Sequence, residues 1–209
     1  MSKPVIMLGS GGHAKVLYDI LKQQNTNLLG YTDQFHHESK LEDLNYLGDD
    51  TIIYSYLPED IDLVLGIGKI SNESIRDRIY KEFSCRGYTF RAVVHKSATI
   101  SPSASYGKGV QVMAGAIIQS GTFISENVII NTGAIVDHDC IIESHTHIAP
   151  GVTLCGSVHV GSSCLIGAGA TIIQQVSVGS QSIVGAGAVV LKSVEAYKKV
   201  IGNPAKEVE

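Results

Sequence analysis

The sequence has 209 residues, 44% hydrophobic and 17% charged, enough to fill one domain or two small ones; a disordered tail or a coiled coil is excluded. A formal charge of −4, with no basic run at either end, leaves no electrostatic footprint for nucleic acid or an anionic lipid surface. Four cysteines without a C-x-x-C pair are expected to stay reduced, and 22 glycines with no tryptophan ask for tight, repeated turns around a narrow core.

Met1 to Leu8 has no basic stretch, long apolar core or cleavage site, so it reads as a buried strand and not as a signal peptide, which places the protein in the cytoplasm. The pattern predicts a strand at Val5–Leu8, a helix over His13–Gln24, a strand at Leu28–Thr32 ending at Asp33, and another at Leu63–Ile67. A helix follows over Ser71–Phe83, with Ser71 as N-cap and Ser74, Ile75, Arg78 and Ile79 at helical spacing. This alternation is a small parallel α/β unit over residues 1–92.

Between the first strand and helix, Gly9, Ser10, Gly11, Gly12, His13 and Ala14 match G-x-G-x-x-G/A, with Asp33 at the end of the next strand. Backbone N–H groups at a helix N-terminus suit a phosphate, and a carboxylate further on accepts from a ribose or base. A tight turn that only packs helix against strand is the alternative. Residues 1–92 are too few for the full six-stranded dinucleotide fold, so a nucleotide head group fits better than NAD. Gly68 and Lys69 follow a second strand on the same side, as candidate substrate contacts or as an ordinary turn.

Residues 93–209 are built differently and form a second domain. The stretch from Ser144 to Leu191 contains no Asp, Glu, Lys or Arg, yet polar residues interrupt it every few positions, against a membrane span. Steps of six from Val94 to Val190 meet an aliphatic residue every time except at Tyr106, and four places after each comes a small or β-branched one. A period of six is neither helical nor a simple strand alternation, and it marks a parallel β-helix with three hexads per coil. The aliphatic residue fills the interior; the small one, beside frequent Gly, Asn, Asp or Ser, fits a corner.

Within this charge-poor region Asp137, Asp139 and Glu143 crowd around His138 in sequence. The hexad frame turns Asp137, His138 and Asp139 outward, where an imidazole oriented by a carboxylate can accept a proton at neutral pH; a solvated turn histidine is the other reading. Gly156, one coil after His138, stacks beside it, its N–H suited to a developing oxyanion and its missing side chain to a passing chain. A structural corner glycine is the alternative. His147, half a coil from His138, falls on a different side of the prism.

A glycine-loop α/β unit before such a β-helix, with the run Asn131-Thr-Gly-Ala-Ile-Val-Asp-His138-Asp139-Cys140, resembles the bacterial nucleotide-amino-sugar N-acetyltransferases and sialic-acid O-acetyltransferases. The resemblance implies a left-handed hand for the β-helix and a homotrimer with sites between subunits. It implies that His138 is the general base, polarised by Asp139, where the family usually has a longer Glu. It further implies a nucleotide sugar held at Gly9, Ser10, Gly11, Gly12, His13, Asp33, Gly68 and Lys69, and acetyl-CoA held at Asn131, His147, Gly156, Ala186 and Lys206, with no metal. The implied reaction is acetylation of the amine of a UDP-linked amino sugar for bacterial surface glycans. O-acetylation of a sialic acid is the near alternative. A γ-carbonic-anhydrase-like zinc enzyme is disfavoured because no two of His138, His145, His147 and His159 are separated by a whole number of coils. A non-catalytic sugar-nucleotide sensor remains a third class, and an acyl-cysteine route is disfavoured because Cys140 and Cys164 fall in the interior series.

Overall fold

The computed structural model describes residues 3–34, 41, 43–69 and 75–208; Ser71 and Ser74 lie outside these. The chain divides into two compact units, one reaching Lys69 and resuming up to Val93, the other running from Val94 onward.

The first unit contains β1 (Val5–Leu8), α1 (Gly12–Gln23), β2 (Leu28–Thr32), β3 (Tyr46–Gly48), β4 (Asp62–Leu65), α2 (Ile75–Cys85) and β5 (Thr89–Phe90). All five strands are parallel, in the order β3-β2-β1-β4-β5. Val5, Ile6, Met7 and Leu8 are all fully buried, because the central strand of a parallel sheet is covered on both faces. Helix α1 buries Ala14, Leu17, Ile20 and Leu21, at helical spacing. It stops where Asn25 turns left-handed and the Thr26 N–H reaches back to the Leu21 carbonyl, a Schellman closure. β4 ends at Leu65, short of the expected Ile67, because the Arg76 guanidinium takes the Leu65 and Ile67 carbonyls at 3.2 and 2.7 Å. The short strands β3 and β5 carry too little pattern to be read in sequence.

The second unit is a left-handed parallel β-helix. Two-residue strands recur at every hexad, and each pairs in parallel with the strand three hexads on, Ile117 with Ile135 and Ile118 with Val136 for example. A first face starts at Val93–Val94, a second at Thr99–Ile100 and a third at Ser105–Tyr106. The aliphatic series from Val112 to Val190 is buried in one continuous core with the small series between its members. Tyr106, the only aromatic in the series, opens the third face without a preceding coil and is 44% exposed. Left-handed backbone recurs at the third residue after each member of that series, from Gly109 to Gly187. Half of these corners are Gly and half are Asn, Asp, His, Ser or Gln with φ of 55–64°. Cys140 and Cys164 point inward, their thiols donating to the Cys155 and Gly179 carbonyls at 3.2 and 3.1 Å. The last coil ends in Lys199–Ile201, parallel to Ile183–Val184 and antiparallel to Lys206–Val208, so a hairpin covers what would be an open edge.

Candidate active site

The edge between the second and third faces carries His138. Neighbouring coils pin this corner from both sides: the Asp139 N–H donates to the Ser120 carbonyl at 2.9 Å, and the His138 carbonyl accepts from the Ser157 N–H at 2.8 Å. Asp137 Oδ1 accepts the His138 N–H at 2.8 Å, which holds the turn. Both His138 and Asp139 project outward, with side chains 55% and 65% exposed. Their side chains meet, Nδ1 to Oδ2, at 2.8 Å, so the shorter Asp spans the gap. A carboxylate only accepts, so Nδ1 carries the proton, and in the neutral ring Nε2 presents its lone pair. The Asp139 hydrogen bond, with the charge of Asp137 behind it, raises the imidazole pKa above its ordinary 6.5.

Gly156 lies directly against the ring, as the one-coil offset requires. A Cβ there would stand 2.5 Å from His138 Nε2 and 2.6 Å from Cε1, so the space expected for a passing chain is filled by the imidazole itself. The Gly156 N–H has no backbone acceptor among the described residues. Glu143, by contrast, does not join this cluster. Its carboxylate sits at the next edge, taking His159 Nε2 at 2.8 Å and the Ser162 N–H at 3.0 Å, because the chain has by then passed the corner of Asp139 and run along the third face.

Asn131 and His147 stand elsewhere. His147 lies on the first face, 9% exposed, and Asn131 Nδ2 donates to its Nε2 at 3.0 Å. The edge from the first to the second face continues through Gly133, Gly151 and Gly169, where an added Cβ would meet nothing within 4 Å, to the exposed Ala186. Within one chain, therefore, one edge bears His138 with Gly156, and another bears Asn131 with Ala186.

In the α/β unit, the strand order turns back at β1, and the loops after β1 and β4 flank a cleft of about 360 Å³ lined by Gly9, Asp33, Asp50, Ile67 and Arg78 among others. Open parallel sheets bind ligands at this place. Gly9 and Gly66 let the two loops touch: a Cβ on Gly66 would be 2.8 Å from Ala14 Cβ and from the Gly9 carbonyl. Gly11 and Gly12 have open space around their Cα atoms at the N-terminus of α1, and no side chain caps that end. Asp33 Oδ2 accepts both the Ser10 N–H, at 2.9 Å, and the Ser10 hydroxyl, so motif and carboxylate are bound to one another. His13 Cβ packs 3.6 Å from where a Gly68 Cβ would be. Lys69 is a correction: its side chain is 1% exposed and its Nζ pairs with Asp77 at 2.7 Å, because a buried ammonium must be matched by a carboxylate. It does not present its charge to the cleft.

Residues 4–83 match the family model for the PglD N-terminal domain, and residues 157–192 that for the bacterial transferase hexapeptide (six repeats). The acetyltransferase domain of PglB from Neisseria gonorrhoeae is 34% identical, with a TM-score of 0.92 over 99% of this chain and 100% of that one, and a structure of that domain holds acetyl coenzyme A. A point mutant of the GDP-perosamine N-acetyltransferase of Caulobacter crescentus, solved with CoA and GDP-perosamine, is 32% identical with a TM-score of 0.91 over 100% of this chain and 98% of that one. The chain belongs to the hexapeptide-repeat nucleotide-amino-sugar N-acetyltransferases.

Two features of the β-helix escaped the sequence reading. A cleft of about 500 Å³ at the end of the β-helix is lined by Lys192, Lys198 and Lys206 together with Leu191 and Pro204. Lys206 was expected there; Lys192 was not, although it lies three coils after His138 and so on the same edge. The other is Gly121, one coil before Asp139. The offset that located Gly156 finds both.

Proposed function

We propose that the protein transfers acetyl from acetyl-CoA to the amino group of a nucleotide-linked amino sugar, with the unprotonated Nε2 of His138 as general base. The observation that carries this reading is the His138 Nδ1–Asp139 Oδ2 bond of 2.8 Å, which leaves Nε2 as the acceptor on an outward edge. The amine nitrogen attacks the thioester carbonyl carbon and passes its proton to Nε2. The Gly156 N–H faces the oxygen as charge develops on it, and collapse of the tetrahedral adduct breaks the C–S bond and releases CoA, whose sulfur takes the proton from Nε2 and so restores the base. General-base catalysis of this kind contributes about 10²- to 10⁴-fold. Both relatives act on, or are solved with, the groups this requires, and N-acetylation by the Caulobacter enzyme favours an amine over a hydroxyl acceptor.

The nucleotide is assigned to the cleft of the α/β unit, its phosphates at the Gly11 and Gly12 N–H groups and the α1 N-terminus, and its ribose or base at Asp33. Acetyl-CoA is assigned to the β-helix, its phosphates at Lys192 and Lys206. Lys192 lies roughly 14 Å along the edge from His138 at the usual strand spacing. A homotrimer accounts for the two separate edges: the Asn131–Ala186 edge of one copy faces the His138 edge of the next, and the bare glycines let the pantetheine arm lie close. Phe123, Ile135 and Ile141, 50%, 38% and 44% exposed on either side of His138, give that boundary apolar surface. Light scattering is expected to give three times the chain mass.

The carrier expected from sequence is UDP, whereas the Caulobacter relative takes GDP. Acetyl-CoA turnover with UDP-, GDP-, dTDP- and CMP-linked amino sugars tests both the reaction and the carrier; free CoA with none of them overturns the assignment. Among the described residues no group of three His, Cys, Asp or Glu could hold a metal. His138, His145, His147 and His159 are engaged separately with Asp139, Asn127, Asn131 and Glu143, so no observation favours a zinc reading. Burial pushes the Cys140 thiol up to about 11, which withholds the thiolate an acyl-cysteine route would need. No helix of the described residues is long and apolar enough to cross a membrane.

A further inference from the structure

We propose that Gly121 is a positioning residue for the His138–Asp139 pair, its missing side chain being the seat of the Asp139 carboxylate. The inference rests on reading that pair as the base of acetyl transfer. Gly121 precedes Asp139 by one coil on the same edge. A Cβ built on Gly121 would collide with Asp139 Oδ1 and lie 3.4 Å from its Cγ.

The backbone does not by itself demand glycine here. Gly121 has φ +72°, the left-handed conformation shared by these β-helix corners, and half of them carry side chains with φ of 55–64°. On this same edge the later coils place Asp139, Ser157 and Gln175 at the equivalent position. The bare corners at Gly133, Gly151 and Gly169 face open space; Gly121 is filled by the acid it serves. Gly121 and Gly156 thus flank the pair from opposite coils, one making room for the carboxylate, the other for the imidazole. With Oδ1 seated against Gly121, Oδ2 is left directed at Nδ1.

The charged groups around His138 are Asp137 and Asp139 of its own turn. Of the flanking turns, the one before contributes Ser120 and Gly121, and the one after Gly156 and Ser157, with Cys155 as the one other titratable side chain. Displacing the Asp139 carboxylate therefore removes its hydrogen bond, the largest influence that raises the imidazole pKa, and leaves the charges of Asp137 and of the displaced Asp139.

The test compares Gly121→Ala with Gly87→Ala, a left-handed glycine of the α/β unit (φ +90°) outside both assigned sites, whose added Cβ would come no closer than 3.7 Å, to Pro58 Cβ. Both variants carry a left-handed backbone penalty. NMR titration of His138 in the full chain is expected to show its pKa fall toward its ordinary value in Gly121→Ala and stay unchanged in Gly87→Ala. kcat/KM of Gly121→Ala should fall roughly 10-fold or more, and the same substitution in an Asp139→Asn background should add no further loss, since its effect acts through the acid. An unmoved His138 titration, or a loss that adds fully to that of Asp139→Asn, overturns the proposal. A moved titration with wild-type turnover upholds Gly121 as the seat of Asp139 and instead overturns the reading of the pair as the catalytic base. Should Gly121→Ala fold poorly, Asp139→Ala is expected to restore its Tm by removing the colliding atom, and no restoration counts against the proposal.

Discussion

The two units build sites in opposite ways. In the α/β unit the cleft gathers Gly9, Asp33, Asp50 and Arg78 from segments far apart in the chain, and they meet only because the strand order turns back at β1. In the β-helix a position is fixed by its place within the coil, and residues one coil apart are neighbours by construction. A periodic scaffold makes site geometry calculable from sequence numbers, whereas a sheet with crossovers makes it a matter of topology.

The sharpest way to break this contrast is His138→Ala. It is expected to lower kcat by about 10²- to 10⁴-fold with little change in Tm, because the side chain is more than half exposed. Single-turnover assays with saturating substrates check it, and near-normal turnover would remove the edge from the chemistry. Next in size, Gly66→Ala forces a Cβ against Ala14 and the Gly9 carbonyl. Overpacking of this kind costs about 1–3 kcal/mol, so thermal denaturation should show the loss and the KM for the sugar nucleotide should rise while that for acetyl-CoA stays unchanged. A third, smaller effect concerns pH. As the proposed base His138 must be unprotonated, so its raised pKa is expected to put the acidic limb of kcat/KM above the ordinary 6.5, with activity lost as pH falls through that raised pKa. Asp139→Asn removes the largest cause, so the limb should move to lower pH while the plateau also drops. The smallest effect sharpens the comparison within the β-helix. His159 and Glu143 form a bond of the same length on the adjacent edge, yet His159→Ala is expected to leave kcat unchanged and to shift stability by no more than about 0.5 kcal/mol, as surface substitutions away from special features generally do.

Legibility followed the same divide. The outward turn at Asp137–Asp139, the inward Cys140 and Cys164 and the stacking of Gly156 on His138 all came from counting residues. Glu143 was misplaced for a local reason: adjacency in sequence suggested a cluster, and the hexad carried it to another edge. Lys69 followed a strand end as a phosphate contact would, but Asp77 on α2 captures it, and nothing in the loop's own sequence announces a partner on the following helix.

By itself the sequence determined the β-helix, because a period of six with small residues at corners satisfies the backbone only when coils stack in parallel, each hexad upon the third one before it. It also determined which residues share each edge. Only the tertiary structure decided what fills the space beside them: that the imidazole occupies the void at Gly156, that the Asp139 carboxylate rests on Gly121, and that Ser10 and Asp33 hold one another across β1 and β2. Periodicity is a property of neighbours along the chain, while these contacts depend on side-chain volume and hydrogen-bond direction between coils and strands, which emerge only once the chain has folded.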